Sequence, residues 1–415
     1  MKTRFFLLTI LSVSVFVSCG KDNNAAPGGF VIPDSAPVLT KAQLDLSNAV
    51  EDFGLEVFSR LYQPNTDIAF SPMSLSLALT MCELGAEGET ARQIAKVQGL
   101  EDATQEQVAA YYQAVIGRLL TADENVKLAS ANAIWADQTF PIKKSYEDNM
   151  ATYLNAEAFS VDFSDAAAVR QRVNKWGADH TWNKIPDTIP EGMKLGGPVL
   201  LTNALYFNAP WGVEFDKELV TEPFYGTSGT KDAQFFTKTA PFSYAQGEGV
   251  QLLSIPYSNG IYDFVVILPD EGKTLDQALV SLKSAQGKKL LSSIGKNGVS
   301  YGTTVSVKMP RFEIIYSSKE QIKNSLIDMG APIIFTGQAD FSGLSSEELT
   351  IANILQKAFL SVNEKGSEAA AVTVVMMETT LVSPNDPIAF TANRPFLFMI
   401  RETGSNAILF IGAKQ

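Results

Sequence analysis

Residues 363–384, NEKGSEAAAVTVVMMETTLVSP, are the segment that any fold for this chain has to accommodate. The run opens with charged residues around a glycine, passes through three alanines into Val-Thr-Val-Val-Met-Met, and ends in polar residues and proline. Its first part is small and conformationally permissive, while its middle is β-branched and strand-forming. The segment therefore suits a loop and a strand equally well. Left exposed, such a run is an edge-pairing and aggregation hazard.

The chain around it is able to bury a large core: 415 residues, 46% hydrophobic and 19% charged. A net charge of −12 without clustered Lys or Arg argues against a nucleic-acid partner, whose phosphates need such clusters. For the same reason no activation by polyanions is expected. At the start of the sequence, Lys2 and Arg4 precede an apolar run over 5–17 that is too short to span a bilayer and reads as an export signal. Cys19 follows Phe16, Val17 and Ser18, which resembles a bacterial lipobox, so residues 1–18 read as a lipoprotein signal peptide and Cys19 as a lipid-attachment site. Residues 19–40 then form a lipid-anchored flexible tether. The expected location is the outer membrane or cell surface of a Gram-negative bacterium, the lipid being the only membrane contact; secretion with Cys19 removed is the alternative. Cys82 remains as a single thiol in an apolar run, expected to be a small buried hydrophobe.

Apolar spacing predicts helices over 42–62, 73–84, 89–97, 105–120, 166–182, 275–282 and 319–329. Ser71-Pro72 supplies a hydroxyl cap and a first-turn proline for the second of these, which is apolar nearly all round and thus deeply buried. Between them lie strand-like runs such as VKLASANAIWA, PVLLTNALYF, YDFVVILP and TTVSVKMPRFEIIY, several without polar alternation and hence covered on both faces. With no internal repeat and no second linker, residues 41–415 read as one α+β domain.

Catalytic parts are missing. His180 is the only histidine and no GxSxG is present, so a structural histidine is expected. Ser293 and Lys296 fit SxxK without a companion motif, and Gly272-Lys273-Thr274 lacks the upstream glycine of a phosphate loop and reads as a turn. One histidine and one free cysteine do not make a zinc site, so neither metal nor cofactor is expected, and the chain is not read as an enzyme.

FSPMSLSLALTMCELGAEGETARQI (70–94), LASANAIW (128–135), NKWGADHTWNKI (174–185), LTNALYFNAPW (201–211), NEKGSEAAAVT (363–373) and FTANRPFLFMI (390–400) resemble the serpins, in serpin order. The resemblance implies three β-sheets, eight or nine helices and an exposed reactive-centre loop. It also implies a function: an irreversible suicide-substrate inhibitor of serine proteases, a monomer that traps its target as a covalent acyl-enzyme while the cut loop enters the main sheet. The opening segment is then loop and strand in turn. The alternative is a non-inhibitory serpin acting as a surface binding protein. The small hinge favours inhibition: Glu364, Gly366, Ser367, Glu368, Ala369, Ala370 and Ala371, followed by Val372 and Thr373.

The resemblance puts the scissile residue sixteen positions after Glu364, at Thr380, followed by Leu381, with Met377 and Glu378 as rivals; the segment up to Phe390 is about four residues longer than in familiar relatives, so counting back from Phe390 lands near Pro384, a poor candidate, and the extra residues most simply belong after the scissile bond. Thr380 suits elastase-like or subtilisin-like enzymes, whereas Met377 or Leu381 suits chymotrypsin-like or papain-like ones. Apart from Lys365 no Lys or Arg lies between Glu364 and Arg394, so trypsin-like targets are not expected. Ser71, Ser74 and Asn203 match the polar shutter that holds the sheet closed, with Gln356 where many relatives have histidine, and Trp211 matches the tryptophan where insertion begins. An amide both donates and accepts, so the shutter is expected to persist without a pH-sensitive member. Asn393 and Arg394 depart from the usual motif.

Overall fold

The computed structural model describes residues 38–415 except 194, 196, 296–302, 319, 352–353, 355 and 368–385. In chain order it begins with α1 (Lys41–Leu61), β1 (Ile68–Phe70), α2 (Pro72–Glu83), α3 (Gly88–Val97), α4 (Gln105–Thr121), β2 (Lys127–Asp137), α5 (Lys144–Leu154), β3 (Ala156–Val161) and α6 (Ala166–His180). Then follow β4 (Val199–Pro210), β5 (Val220–Gly226), β6 (Gly229–Pro241), β7 (Ser243–Gly247), β8 (Val250–Pro256), β9 (Tyr262–Pro269), α7 (Leu275–Lys283) and α8 (Ala285–Leu291). The last part holds β10 (Thr304–Pro310), β11 (Phe312–Ser317), α9 (Gln321–Asp328), β12 (Lys357–Asn363), β13 (Gly366–Ser367), β14 (Ile388–Thr391), β15 (Phe396–Glu402) and β16 (Ile408–Lys414).

The described strands form three sheets, as the sequence implied. The main sheet has the order β11-β12-β13-β4-β2-β3, a second has β1-β16-β15-β9-β8-β7, and a third has β14-β10-β6-β5. Every residue of β9 and β15 is buried, which explains why their sequences lack polar alternation.

Helix α2 is the axle of the molecule. The Ser71 hydroxyl accepts from Ser74 N–H at 3.2 Å, Pro72 occupies the first turn, and all 12 residues are buried. Burying Leu75, Leu77, Leu79 and Met81 contributes about 1.5–3 kcal/mol for each side chain. Helix α1 comes close to α2 because position 54 is glycine: a Cβ there would meet Pro72 Cβ at 2.5 Å. Cys82 is fully buried, and burial pushes its thiol up to about 12, so it is an inert hydrophobe. Gly272-Lys273-Thr274 is the turn before α7, with Thr274 accepting from Gln277 N–H at 3.3 Å as its cap.

The apolar periodicity misses α5 and α8. Helix α5 buries only Tyr146, Met150 and Leu154, one residue per turn, too thin a stripe against its charged remainder. The expected 319–329 helix is shorter, Gln321–Asp328, and the 166–182 helix ends at His180.

Candidate functional site

Strand β13 is two residues long and sits between two long strands. Ser367 pairs with Val362 of β12 on one side and Ala209 of β4 on the other; Gly366 pairs with Asn363 and Pro210. Both pairings are antiparallel, so β12 and β4 run parallel to each other, and among the described residues no ladder joins them directly. Between them lies a slot whose mouth is occupied by the hinge. Deeper in, a small cavity of about 20 Å³ is lined by Ile185, Thr188, Leu201, Asn203 and Lys357, among others.

The hinge is seated by specific contacts. Gly366 has φ +148°, and a Cβ there would lie 2.0 Å from Ala209 O, so only glycine threads this point. Ser367 is fully buried, and its hydroxyl is hydrogen-bonded to that of Tyr257. Burial pushes the Tyr257 hydroxyl well above its ordinary range, keeping it a neutral partner. Trp211 stacks on Tyr257 with ring centroids 4.5 Å apart, donates through Nε1 to Asn363 O at 2.8 Å, and donates through its backbone N–H to Lys365 O at 3.0 Å. Arg311 Nε donates to Glu364 Oε2 at 2.7 Å. Burial alone would push the Glu364 carboxyl up, but its hydrogen bond with Arg311, a backbone hydrogen bond and the charges of Arg311 and Lys365 outweigh it and hold the carboxyl below its usual range.

Below the hinge, polar side chains divide into two sets that meet only at the first turn of α2. On the β4 side, the Ser74 hydroxyl donates to Asn203 Oδ1, Asn203 Nδ2 donates to Asn132 Oδ1 at 2.6 Å, and Asn132 Nδ2 donates to Leu154 O at 3.0 Å. On the β12 side, Gln356 grips the backbone of Ser71 twice: its Oε1 accepts from Ser71 N–H at 2.8 Å and its Nε2 donates to Ser71 O at 2.8 Å. Gln356 is tied on to Ser318, the residue after β11, through its N–H to Ser318 Oγ at 2.9 Å and its O from Ser318 N–H at 3.0 Å. Among the described residues no hydrogen bond joins Asn203 to Gln356. The two halves of the sheet are each pinned to α2, which joins them at this level.

Of the residues singled out from sequence, Ser71, Ser74, Asn203, Gln356, Trp211, Glu364, Gly366 and Ser367 therefore gather around one slot. Glu368, Ala369, Ala370, Ala371, Val372, Thr373, Met377, Glu378, Thr380, Leu381 and Cys19 lie outside the described residues. Beyond the hinge, the chain is described again from residue 386, and β14 pairs in parallel with β10 in the third sheet. The two ends of the 368–385 segment are thus held in different sheets. Arg394 donates through Nη2 to Pro269 O at 2.8 Å, so this departure from the usual motif joins β15's approach to the end of β9.

Sequence reasoning missed Tyr257, Arg311, Asn132 and Ser318. Each acts across a long chain separation, 110 residues in the case of Tyr257 and Ser367; Asn132 stands inside LASANAIW but nothing local marks its role, and the other three lie in none of the quoted family motifs. His180 is buried at the end of α6, its ring nitrogens facing Trp176 O and Glu157 Oε1, as expected of a structural histidine.

A family model described as Serpin (serine protease inhibitor) matches residues 48–414. The chain is similar to an uncharacterized serpin-like protein of Methanosarcina acetivorans, 30% identical over 89% of this chain and 87% of that one. It is also similar to intracellular coagulation inhibitor 2 of Tachypleus tridentatus, 32% identical over 89% of this chain and 90% of the other. Among solved structures, the thermophilic serpin tengpin in its native state aligns with a TM-score of 0.79 at 28% identity, covering 91% of this chain and 95% of that chain.

Proposed function

The chain belongs to the serpin family, and we propose that it is an irreversible suicide-substrate inhibitor whose 368–385 loop is cut by a serine protease and drawn into the slot between β12 and β4. Family membership supports a protease-inhibitor role in general. The observation that carries the finer reading is the seated hinge: a two-residue strand already paired on both sides, with the rest of its segment tied at its far end to another sheet.

The register of that strand says what insertion would do. Each further residue of the loop steps back along β4 from Ala209 and back along β12 from Val362. Thr373 then falls opposite Asn203 and Gln356 together, and Met377 falls opposite Val199, where β4 begins. Side chains alternate, so Ala369, Ala371 and Thr373 share the buried face of Ser367, which calls for small residues. With Thr380 as the scissile residue, Glu378 and Thr379 form a short tether beyond the sheet to the acyl-enzyme. With Met377, the protease would have to abut the sheet end itself. The register thus favours Thr380–Leu381 and small-residue-specific, elastase-like or subtilisin-like targets. Anchoring through a lipid on Cys19 at a bacterial envelope completes the proposal.

The test is incubation with a panel of elastase-like and subtilisin-like enzymes. A complex that survives SDS and heat is expected, with the released peptide beginning at Leu381. Loop cleavage throughout the panel without such a complex, together with an unchanged thermal midpoint after cleavage, would refute inhibition and favour a binding serpin.

A further inference from the structure

The chain that covers the slot is fastened on both sides of it. On one side, α6 lies over β2 and β3: Trp176 meets Trp135 edge-on at 6.1 Å, and Arg172 Nη1 donates to Ser160 O at 3.0 Å. After α6 the chain crosses to β12, where Asp187 is ion-paired with Lys357 and Lys184 Nζ stands 5.4 Å from the Phe359 ring centre. Because β2 and β3 lie on one side of β13 and β12 on the other, this run is a strap across the path of an entering strand.

The fastening to β3 includes a histidine facing a carboxylate. His180, the last residue of α6, is 8% exposed. Its Nδ1 lies 2.8 Å from Trp176 O and its Nε2 lies 3.0 Å from Glu157 Oε1 on β3. A carbonyl oxygen and an ionised carboxylate can only accept, so the two contacts are both hydrogen bonds only when both ring nitrogens carry hydrogen. A neutral imidazole would turn a lone pair toward one of the two oxygens. The other charged groups around it are engaged elsewhere. Asp179 is paired with Lys175 at 2.7 Å, Arg172 stands over the Phe159 and Trp135 rings, and Lys184, Asp187 and Lys357 belong to the far end of the strap. Among the described residues, Glu157 is the only ion-pair partner of the ring. Histidine is the side chain that ordinarily changes charge between pH 5 and 8.

We propose that His180 and Glu157 form a proton-operated fastener, holding α6 more tightly on β3 when the imidazole is charged than when it is neutral, so that mildly acid surroundings slow the opening of the slot. The proposal rests on the reading of the slot as the loop's destination. The Glu157 side chain is 41% exposed, so water and salt weaken the pair, and the effect expected is about two- to tenfold rather than all-or-none.

The experiment is amide hydrogen exchange on the intact, untagged chain at pH 6 and pH 8, with His180→Gln and Glu157→Gln measured at the same pH so that intrinsic rates cancel. At pH 6 the α6 and β3 amides of the wild type should exchange about two- to tenfold more slowly than those of either variant; at pH 8 the three should agree. Because the chain has one histidine, its ring resonances report the charge directly. A wild-type-to-variant ratio that is the same at both pH values, or an uncharged ring at pH 6, overturns the fastener. Glu157 is half exposed, so Glu157→Gln carries the test if His180→Gln fails to fold. No protease is involved, so a failed fastener leaves the inhibitor reading standing, and a failed inhibitor reading leaves the exchange result intact.

Discussion

Thr373→Arg is the substitution that tests the insertion register most sharply. If the ladder begun at Gly366 and Ser367 continues, residue 373 enters on the face of Ser367, opposite Asn203 and Gln356 and next to Ser71 and Ser74. Ser71, Ser74 and Gln356 are all buried, and these neighbours are amides and hydroxyls with no carboxylate among them. A guanidinium forced into that row is an uncompensated buried charge, costing about 3–5 kcal/mol. If half of the upper figure is felt while the strand is entering, about 2.5 kcal/mol, insertion slows by roughly seventyfold. In the proposed mechanism insertion competes with deacylation of the trapped enzyme, so the variant should be cleaved and released as a substrate. Glu368→Arg is the control. Residue 368 falls on the opposite face, across from Asn208 and Ser361, both of which are partly open to solvent. It should inhibit nearly as the wild type does, while Ala369→Arg, opposite the buried Phe207 and Leu360, should not. The assay is the number of inhibitor molecules consumed per enzyme inactivated, read with SDS gels. Equal loss in Glu368→Arg and Thr373→Arg, or an intact complex with Thr373→Arg, would refute the register.

Two further outcomes follow from the sheet and core. Gln356→Ala removes both of its bonds to the Ser71 backbone and leaves the buried Ser71 N–H unpaired, Ser71 O keeping its bond from Leu75 N–H, so the intact protein should lose about 1–3 kcal/mol in denaturant unfolding; an unchanged midpoint would show that this grip does not hold the β12 side to α2. Glu83 is buried, its Oε2 has no hydrogen-bond partner among the described residues, and burial pushes its carboxyl up to about 7 from 4.5. A raised folded value means stability that is complete below about pH 4.5 and lost as pH rises through about 7, amounting to about 3 kcal/mol at the alkaline end. Glu83→Gln should flatten that fall, and identical stability profiles from pH 5 to 8 would refute the assignment.

What the sequence disclosed and what it hid divide by distance along the chain. Helix α2 was legible because its cap, its first-turn proline and its apolar surface are consecutive residues. The ribbon of β5 and β6 was not, since its polar, largely exposed residues lack the burial that makes a strand pattern visible. The site was legible residue by residue and not as a mechanism. Ser71 and Gln356 could be named, but that Gln356 holds the Ser71 backbone and not Asn203 depends on a contact spanning 285 positions. The seated hinge was hidden for the same reason: it needs Tyr257 to meet Ser367 and Ala209 to leave room only for a glycine at 366. These non-local contacts also bear on the choice between Thr380 and Met377, which motif counting left open. The length of β4 limits how much of the loop the sheet can pair, and the seated hinge fixes where the count starts. A scissile residue must lie beyond the last paired position by enough chain to carry a protease clear of the sheet. If the loop enters in the register proposed from Gly366 and Ser367, Met377 would fall at that last position and Thr380 three residues past it, so a cut after Met377 would leave no tether between protease and sheet.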